Sequence, residues 1–225
     1  MHDRWNSYDV ALQAYYSARA DEYDLGLHHK PEREPEVAAL SDLIRHSLAG
    51  KRVLDVACGT GQWTRYIAQF ASRVVGVDSS AEVLRVARSG EPLQNVHFVQ
   101  GDAYRLGEEL GCFDAAFAGF WLSHVPRSRY QSFFEGLSCR LLPGGLALII
   151  DNGPSHVVGS PIVERDKEGN TFQRRTLRDG SEHYILKNFP DQSELVAAVA
   201  GFSHNQRFMA MEHFWAFTYE IANTA

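Results

Sequence analysis

One stretch of nine residues, VLDVACGTG at positions 53–61, decides the fold of this chain. It begins as an apolar run of the length of a buried strand and ends in a turn with glycines at 59 and 61. Glycine lets the backbone bend tightly and lets a ligand approach without a Cβ in the way. Open α/β sheets bind ligands at the carboxyl ends of their strands, so this turn is a candidate site. Alone, however, the tripeptide Gly59-Thr60-Gly61 is as typical of an ordinary strand-to-helix turn as it is of a ligand site.

Two further strand ends carry an acid at the expected spacing. The run VVGVD ends in Asp78, 17 positions after Gly61, and VQGDA places Asp102 after the next strand. A carboxylate accepts several hydrogen bonds, so Asp78 suits the two hydroxyls of a ribose. Asp102 suits the exocyclic amine of an adenine. The alternative for Asp78 is a helix N-cap, since Ser79-Ser80 and a helical pattern follow it.

The pattern beyond these turns predicts an α/β fold. Apolar strand-like runs alternate with helical patterns, which indicates right-handed crossovers and a parallel sheet. After this region we predict a hairpin over 172–177 and 182–189, turned at Asp179-Gly180, then a helix over 193–200 and two strands within 206–219. The alternating region is predicted as strands at 51–57, 74–78, 96–101, 113–120 and 146–151 and helices at 62–71, 81–89 and 127–142, with a turn at 143–145.

Composition limits the partners. The chain has 225 residues, 44% of them hydrophobic, which suits one domain with a sizeable core. Its net charge is −6, so a nucleic acid substrate is disfavoured. Three scattered cysteines, no signal-peptide pattern and no apolar run of membrane-spanning length predict a cytoplasmic protein without a membrane partner. A basic cluster has acids mixed into it and predicts a solvated face: Arg165, Lys167, Arg174, Arg175 and Arg178.

Taken together, the motifs resemble a known family. The sequence is similar to the class I S-adenosylmethionine (SAM)-dependent methyltransferases, in the small-molecule branch that includes the ubiquinone- and menaquinone-type enzymes. The matching segments are VLDVACGTG (53–61), VVGVDSS (74–80), FVQGDAY (98–104), FDAAFAGFWLSHVP (113–126) and LLPGGLALIID (141–151).

The resemblance implies a Rossmann-like, doubly wound sheet of seven mostly parallel strands with a reversed last strand. It implies one domain over 1–225: an N-terminal helical lid (1–50), a SAM-binding core (51–151), an insertion with a small hairpin (152–189) and a C-terminal helix with strands (190–225). The cofactor would be SAM, and S-adenosylhomocysteine (SAH) the product. The implied cofactor contacts are Asp55, Ala57, Gly59 and Gly61 at the methionine part, Asp78 with Ser79 at the ribose, Asp102 and Ala103 at the adenine, Gly119 and Phe120 near the sulfonium, and Tyr16 and Tyr23 from the lid.

Two alternatives bear on the cofactor contacts. The lid tyrosines have a rationale in cation–π attraction to a sulfonium, but they could equally pack an amphipathic helix. A nicotinamide dinucleotide would need Gly-x-Gly-x-x-Gly. Here the string from Gly59 reads GTGQWT, so the third glycine is absent and Trp63 is bulky where a pyrophosphate needs room.

The transfer chemistry leaves more open. His124, after the fourth strand, is the candidate general base, or it only caps the following helix. His28, His29 and His156 are weaker candidates, and no histidine pair shows metal-ligand spacing with a nearby acid.

The acceptor pocket is expected from the N-terminal segment and residues 152–189. We expect methyl transfer to an oxygen or nitrogen of a small molecule, and the oligomeric state stays open. The alternatives are an RNA or protein methyltransferase, a SAM-binding module without catalysis, or a dehydrogenase. Six aromatics suit a flat or apolar acceptor, or simply pack the extra elements: Trp5, Tyr8, Tyr15, Tyr16, Phe172 and Tyr184.

Overall fold

The structure is a computed structural model that describes residues 2–19, 31–158 and 160–222. Its α-helices are α1 (His2–Arg19), α2 (Glu34–Leu48), α3 (Gln62–Ile67), α4 (Ala81–Ser89), α5 (Tyr130–Ser138) and α6 (Gln192–Val199). Its strands are β1 (Arg52–Val56), β2 (Arg73–Asp78), β3 (Val96–Gln100), β4 (Phe113–Gly119), β5 (Leu141–Asn152), β6 (Ile162–Arg165), β7 (Thr171–Thr176), β8 (Glu182–Leu186), β9 (Ser203–Ala210) and β10 (Phe214–Ile221). Short 3-10 helices cover Pro31–Arg33, Glu108–Leu110, Leu122–His124, Arg127–Arg129 and Pro154–Val158.

The main sheet has seven strands in the order β3-β2-β1-β4-β5-β10-β9. Strands β1 to β5 pair in parallel, whereas β10 pairs antiparallel with both β5 and β9. The predicted fold class, including the reversed last strand, is therefore confirmed. The chain order reverses beside β1, so the carboxyl ends of β1, β2 and β4 open together at one edge of the sheet, where ligands of such folds bind.

The sheet is buried on both faces. Along β1, Leu54 and Val56 belong to one apolar cluster with α5 and α6, while Val53 belongs to the other cluster with α2. A parallel strand covered on both sides needs this near-continuous apolar sequence, which explains the run that opens the deciding stretch. Each large side chain fully buried in this way stabilises the fold by about 1.5–3 kcal/mol.

The largest differences between the observed and the predicted bounds lie in three places. Helix α3 ends at Ile67 rather than at 71, and α5 covers only part of the helix predicted over 127–142. The turn predicted at 143–145 lies within β5. There the pairing with β4 jumps from Leu141 opposite Phe113 to Leu146 opposite Ala115, so the intervening residues form an irregularity in the strand rather than a connection.

The inserted segment forms a small sheet of three strands, β6-β7-β8. The predicted hairpin is confirmed as the antiparallel pair β7–β8. Strand β6 was not predicted, because its four residues are all exposed and show no alternation of apolar and polar positions. Helix α1 packs on this sheet through Leu12 and Tyr15, which bury against Ile185 of β8. Within the described residues, no helix combines the length and apolarity that a membrane crossing requires.

Candidate active site

The turn after β1 is backbone held in an unusual conformation. Gly59 and Gly61 have φ of +58° and +81°, and Ala57 also has a positive φ, +55°. A non-glycine residue in this region is strained, and such strain clusters at functional sites. Phe120, directly after β4, is a second strained residue with φ +60°. Both Ala57 and Phe120 lie at the carboxyl edge of the sheet.

The Asp78 carboxylate spans two backbone donors. Its oxygens accept hydrogen bonds from Gly59 N and from Ser80 N, each at 3.0 Å. Helix α4 is capped instead by Ser80, whose Oγ accepts from Val83 N at 3.2 Å, so the N-cap alternative for Asp78 is wrong. Burial raises the pKa of Asp78. A carboxylate has about four acceptor positions, so Asp78 keeps room for a further donor beside these backbone bonds.

The third strand end is more open. Asp102 is exposed, and its Oδ1 accepts from Tyr104 N at 2.8 Å, while Ala103 is buried. The free oxygen of Asp102 can therefore accept from a ligand amine, beside an apolar wall that suits a flat ring.

These strand ends border one cavity of about 290 Å³. Seven residues not predicted as contacts also line it: Asp9, Leu12, Gln13, Ser80, Val83, Tyr104 and Trp121. The candidate base His124 lines it too, as do the predicted contacts Tyr16, Ala57, Gly59, Asp78, Ser79, Asp102, Ala103, Gly119 and Phe120.

Two predicted contacts lie behind the wall of this cavity. Asp55 is buried and accepts a hydrogen bond from Thr64 Oγ1 at 2.5 Å, and burial raises its pKa to about 7. Gly61 faces Phe98, since a Cβ built on it would lie 2.7 Å from the Phe98 Cζ. Their observed roles are to anchor α3 and to let the turn pack closely. Tyr23, like His28 and His29, lies outside the described residues.

The cavity fits SAM in the chemistry of its lining. Tyr104 Oη and Trp121 Nε1 are buried without a hydrogen-bond partner among the described residues, and both side chains line the cavity. Orphaned buried donors are rare in folded proteins and point to a missing polar ligand. Carboxylates at Asp78 and Asp102 match ribose hydroxyls and an adenine amine. Aromatic rings at Tyr16 and Phe120 match a sulfonium.

Helix α1 covers this cavity. Gln13 Nε2 donates to Ser79 O at 3.3 Å, and the hydroxyls of Ser17 and Ser80 lie 2.8 Å apart. Asp9 pairs with Arg129 at 3.0 Å. The N-terminal helix therefore lies over the cofactor turn, as the resemblance to the family implies.

At the inner end of the cavity, Tyr16 and His124 form a pair. The Tyr16 Oη and His124 Nε2 lie 2.8 Å apart, and His124 Nδ1 lies 2.7 Å from Leu186 O. A carbonyl oxygen only accepts, so Nδ1 carries the proton and the lone pair of Nε2 accepts from the Tyr16 hydroxyl. Burial, and next the Lys187 ammonium, lowers the pKa of His124 to about 3, so the imidazole is neutral at physiological pH.

The buried ion pair Lys187–Asp151 lies behind the Tyr16–His124 pair. Lys187 Nζ donates to Asp151 Oδ1 at 3.2 Å and to Ser123 Oγ at 2.7 Å, and all three side chains are buried. Asp151 also accepts from Ser123 N at 2.8 Å and from Asn152 N at 2.7 Å. Despite burial, these partners hold the pKa of Asp151 below its usual value. The network fixes the turn that carries His124.

A second cavity of about 170 Å³ meets the first at Tyr16, Phe120 and His124, which line both. Its other walls come from α1, the 3-10 helices Pro31–Arg33 and Pro154–Val158, the end of β5 and the inserted segment. The residues on these walls are Tyr15, Arg19, Arg33, Asn152, His156, Arg175, Ile185 and Lys187. Basic and polar groups therefore dominate this cavity, in contrast to the flat or apolar lining expected from the flanking aromatics.

The flanking aromatics were expected either to line the acceptor pocket or to pack the extra elements, and the structure shows both. Phe172 is buried against Tyr8, with the ring centroids 5.2 Å apart and the rings tilted by 43°, so these two pack the insertion onto α1. Tyr184 is 57% exposed. Among those of the six aromatics whose side chains the structure describes, Tyr15 and Tyr16 line the two cavities, and Tyr15 is also part of the packing cluster.

The cationic residues of the second cavity are what sequence reasoning missed. The solvated-face prediction is right for Arg174, which is exposed and pairs with Glu182 at 3.3 Å. It is wrong for Arg175, which points to the other face of β7 and lines the cavity. Strand alternation within the predicted hairpin could have separated these neighbours. Arg33 and Lys187 had no comparable signal.

One further cluster lies away from both cavities. The side chains of Glu36, Glu212 and His213 bring possible metal-ligand atoms within 4.8 Å of one another. The Glu36 carboxylate already accepts from His213 N at 3.0 Å and Phe214 N at 3.2 Å. Its observed role is thus to hold the turn before β10 against α2.

Comparison with known proteins agrees with this geometry. A family model described as a methyltransferase domain matches residues 53–145. A demethylmenaquinone methyltransferase of Staphylococcus carnosus is 29% identical, over 69% of each chain. A dTDP-3-amino-3,6-dideoxy-alpha-D-glucopyranose N,N-dimethyltransferase of Streptomyces fradiae is 27% identical, over 95% of this chain and 85% of its own. For several curated relatives the match spans about half of their length, for example 43% for the demethylmenaquinone methyltransferase of Lactococcus lactis.

Solved structures match over nearly the whole chain. The DhpI–SAH complex superposes with a TM-score of 0.74 at 30% identity and covers 96% of this chain and 98% of that one. The DhpI–SAM–HEP complex gives the same TM-score at 31% identity. The chain belongs to the class I SAM-dependent methyltransferase family, of the small-molecule type, a family of enzymes whose cofactor is SAM.

Proposed function

We propose that this protein transfers a methyl group from SAM to an oxygen or nitrogen atom of a small molecule. The observation that carries the proposal is the meeting of two cavities at Tyr16, Phe120 and His124. A transferase needs two substrate sites that share one point of reaction. The larger cavity has the strand-end carboxylates of a nucleoside site, and the smaller one opens from its inner end.

When bound, SAM supplies a methyl group on a sulfonium. The leaving group is the neutral thioether of SAH, which needs no protonation. The work left to the protein is therefore placement and exclusion of water. Asp78 and Asp102 would hold the nucleoside part, and Ala57 and Gly59 would leave room for the methionine part. Helix α1 would cover the site from above, with Gln13 and Ser17 tied to the turn after β2.

The Tyr16–His124 pair supports positioning more than base catalysis. A general base works best with a pKa near the operating pH, and that of His124 is lowered to about 3. Its Nε2 lone pair is also already engaged by Tyr16. The neutral imidazole would thus hold the Tyr16 hydroxyl at the point where the cavities meet. Such a site suits an acceptor atom that needs no base during the transfer, such as a neutral amine, whose proton leaves only after methylation, or an oxygen that is already deprotonated.

Two measurements on the full chain test the proposal. Calorimetry with SAM, SAH and NAD should show binding of SAM and SAH only. Incubation with SAM and a panel of small metabolites, read by mass spectrometry, should then give SAH together with a singly methylated product. NAD binding without SAM binding would refute the proposal. So would SAM binding with methyl transfer confined to added RNA or protein.

A further inference from the structure

The second cavity has an excess of positive charge. Four cationic side chains line it, Arg19, Arg33, Arg175 and Lys187, and no carboxylate does so among the described residues. Such a concentration within about 170 Å³ is costly unless each charge is compensated. The question is therefore which of these charges the protein itself neutralises.

Lys187 is neutralised from behind the cavity wall, since its Nζ lies 3.2 Å from the Asp151 carboxylate. Arg175 donates to two neutral groups, Ser160 Oγ at 2.5 Å and Gln173 Oε1 at 2.8 Å. Within residues 2–19, 31–158 and 160–222, no ion pair is formed by Arg175.

Arg33, like Arg175, forms no ion pair within the described residues. Its Nε is buried and has no hydrogen-bond partner in the described part of the chain, and the guanidinium carbon lies 5.9 Å from the centre of the Phe214 ring. His156, also in the wall, has a buried Nδ1 without a described partner. Burial lowers the pKa of His156 to about 3, and the charges of Lys187, Arg175 and Arg33 act in the same direction. The cavity thus has hydrogen-bond donors without partners and an excess of positive charge, and an anionic ligand could compensate both.

We propose that this cavity binds an oxyanion group on the methyl acceptor, with Arg33 and Arg175 as its specific partners. The proposal rests on the proposed function, because it gives the charge class of the acceptor for that same site. Guanidinium groups bind phosphate, phosphonate and carboxylate oxygens through paired, charge-assisted hydrogen bonds. The acceptor is accordingly a small anion whose uncharged end faces Tyr16, Phe120 and His124.

The geometry favours a small molecule over a nucleic acid as the source of the oxyanion. The cavity is compact and its cations converge inward, whereas a bound nucleic acid backbone is met by a basic surface. The net charge of the chain is −6, and the neighbouring Arg174 on the outer face is paired with Glu182.

The test is calorimetric titration of the full chain with inorganic phosphate, methylphosphonate or acetate at constant ionic strength, with and without SAH. Saturable binding of at least one anion is expected. Binding of phosphate or methylphosphonate would indicate a tetrahedral oxyanion group on the acceptor, and binding of acetate alone would indicate a planar carboxylate. Arg175→Gln and Arg33→Gln should each weaken it by at least about tenfold, the loss typical of a charged hydrogen-bonding partner. Arg174→Gln, one residue away on the exposed face, is the matched control and should leave it unchanged.

The outcomes separate this inference from the proposed function. The anion site would be overturned if the anions bind no more tightly than chloride, or if they bind equally to Arg175→Gln, Arg33→Gln and Arg174→Gln. Binding of SAH in the same experiment would leave the proposed function intact. Anion binding without SAH binding would instead remove the proposed function and keep the cationic site. If Arg175→Gln fails to fold by circular dichroism, Arg175→Lys replaces it, and weaker anion binding by that variant would still support the paired contact.

Discussion

The two cavities that meet at Tyr16, Phe120 and His124 are built in different ways. The cofactor cavity is made by consecutive strand ends of one parallel sheet, with backbone turns and carboxylates as its main groups. The second cavity is made by side chains brought from five separate parts of the chain. The comparison teaches that cofactor recognition is part of the fold itself, whereas the acceptor recognition proposed for the second cavity depends on side chains of the elements around it.

If this comparison is right, a change in the cofactor turn should damage the fold more than the same change in the insertion. Gly61→Ala should cost about 2–3 kcal/mol of unfolding free energy, because its φ is +81° and the new Cβ would lie 2.7 Å from Phe98. Gly180→Ala has nearly the same φ, +84°, but open space around it, so about 1 kcal/mol is expected. Urea unfolding of both variants measures the difference. Equal losses would show that the close packing at Gly61 contributes nothing.

A second prediction concerns the acid rather than the turn. Asp78→Ala should weaken SAM binding by about 1.5–3 kcal/mol, roughly 10- to 150-fold, because it removes charged acceptors from the cavity. Asp114→Ala is the control, since that residue lies at the opposite end of a parallel strand and accepts from Arg52 N at 2.8 Å. Calorimetry should show a loss for Asp78 alone. Similar SAM affinity in both variants would contradict a cofactor role for Asp78.

The junction between the cavities should make stability depend on pH. In the folded protein the pKa of His124 is lowered to about 3 from 6.5, so below about pH 6.5 the unfolded chain binds the proton first. Stability is therefore fully present above pH 6.5 and is lost as pH falls towards 3. At pH 5 this amounts to roughly 1–2 kcal/mol. Urea unfolding at pH 7 and 5 should show a smaller loss in His124→Asn than in the unmodified chain.

His156, whose pKa is lowered in the same way, stays in both proteins and gives a common background. An identical pH dependence of the two proteins would mean that His124 becomes protonated as readily in the fold as in the unfolded chain.

The smallest effect is expected in the helix that covers both cavities. Helix α1 closes the cofactor site through a few polar contacts, so its amides should gain about tenfold protection from hydrogen exchange when SAM binds. Amides of α2, which is anchored in the core by Leu40, Ile44 and Leu48, should not change. Equal protection of residues 11–19 with and without SAM would show that α1 is a fixed wall rather than a lid.

Most of the sheet was predictable because its signals are local. Apolar runs of strand length, glycine turns and strand-end acids occur within a few neighbouring residues, and they led directly to β1 to β4 and to the cofactor cavity. Irregular pairing defeated the same reasoning at β5, where the register jump near Leu141 depends on the partner strand. The exposed strand β6 carried no pattern at all.

The candidate site divides along the same line. The sequence by itself indicated a nucleoside site, because the turn at 53–61 and the acids Asp78 and Asp102 combine local backbone geometry with a fixed chain spacing, and the resemblance of these motifs to a known family implied SAM. Only the tertiary structure decided that Arg33, Arg175 and Lys187 converge on one cavity, and that the lone pair of His124 is taken by Tyr16. Those contacts join residues up to about 150 positions apart, and no local pattern of residue types records which distant side chains will meet.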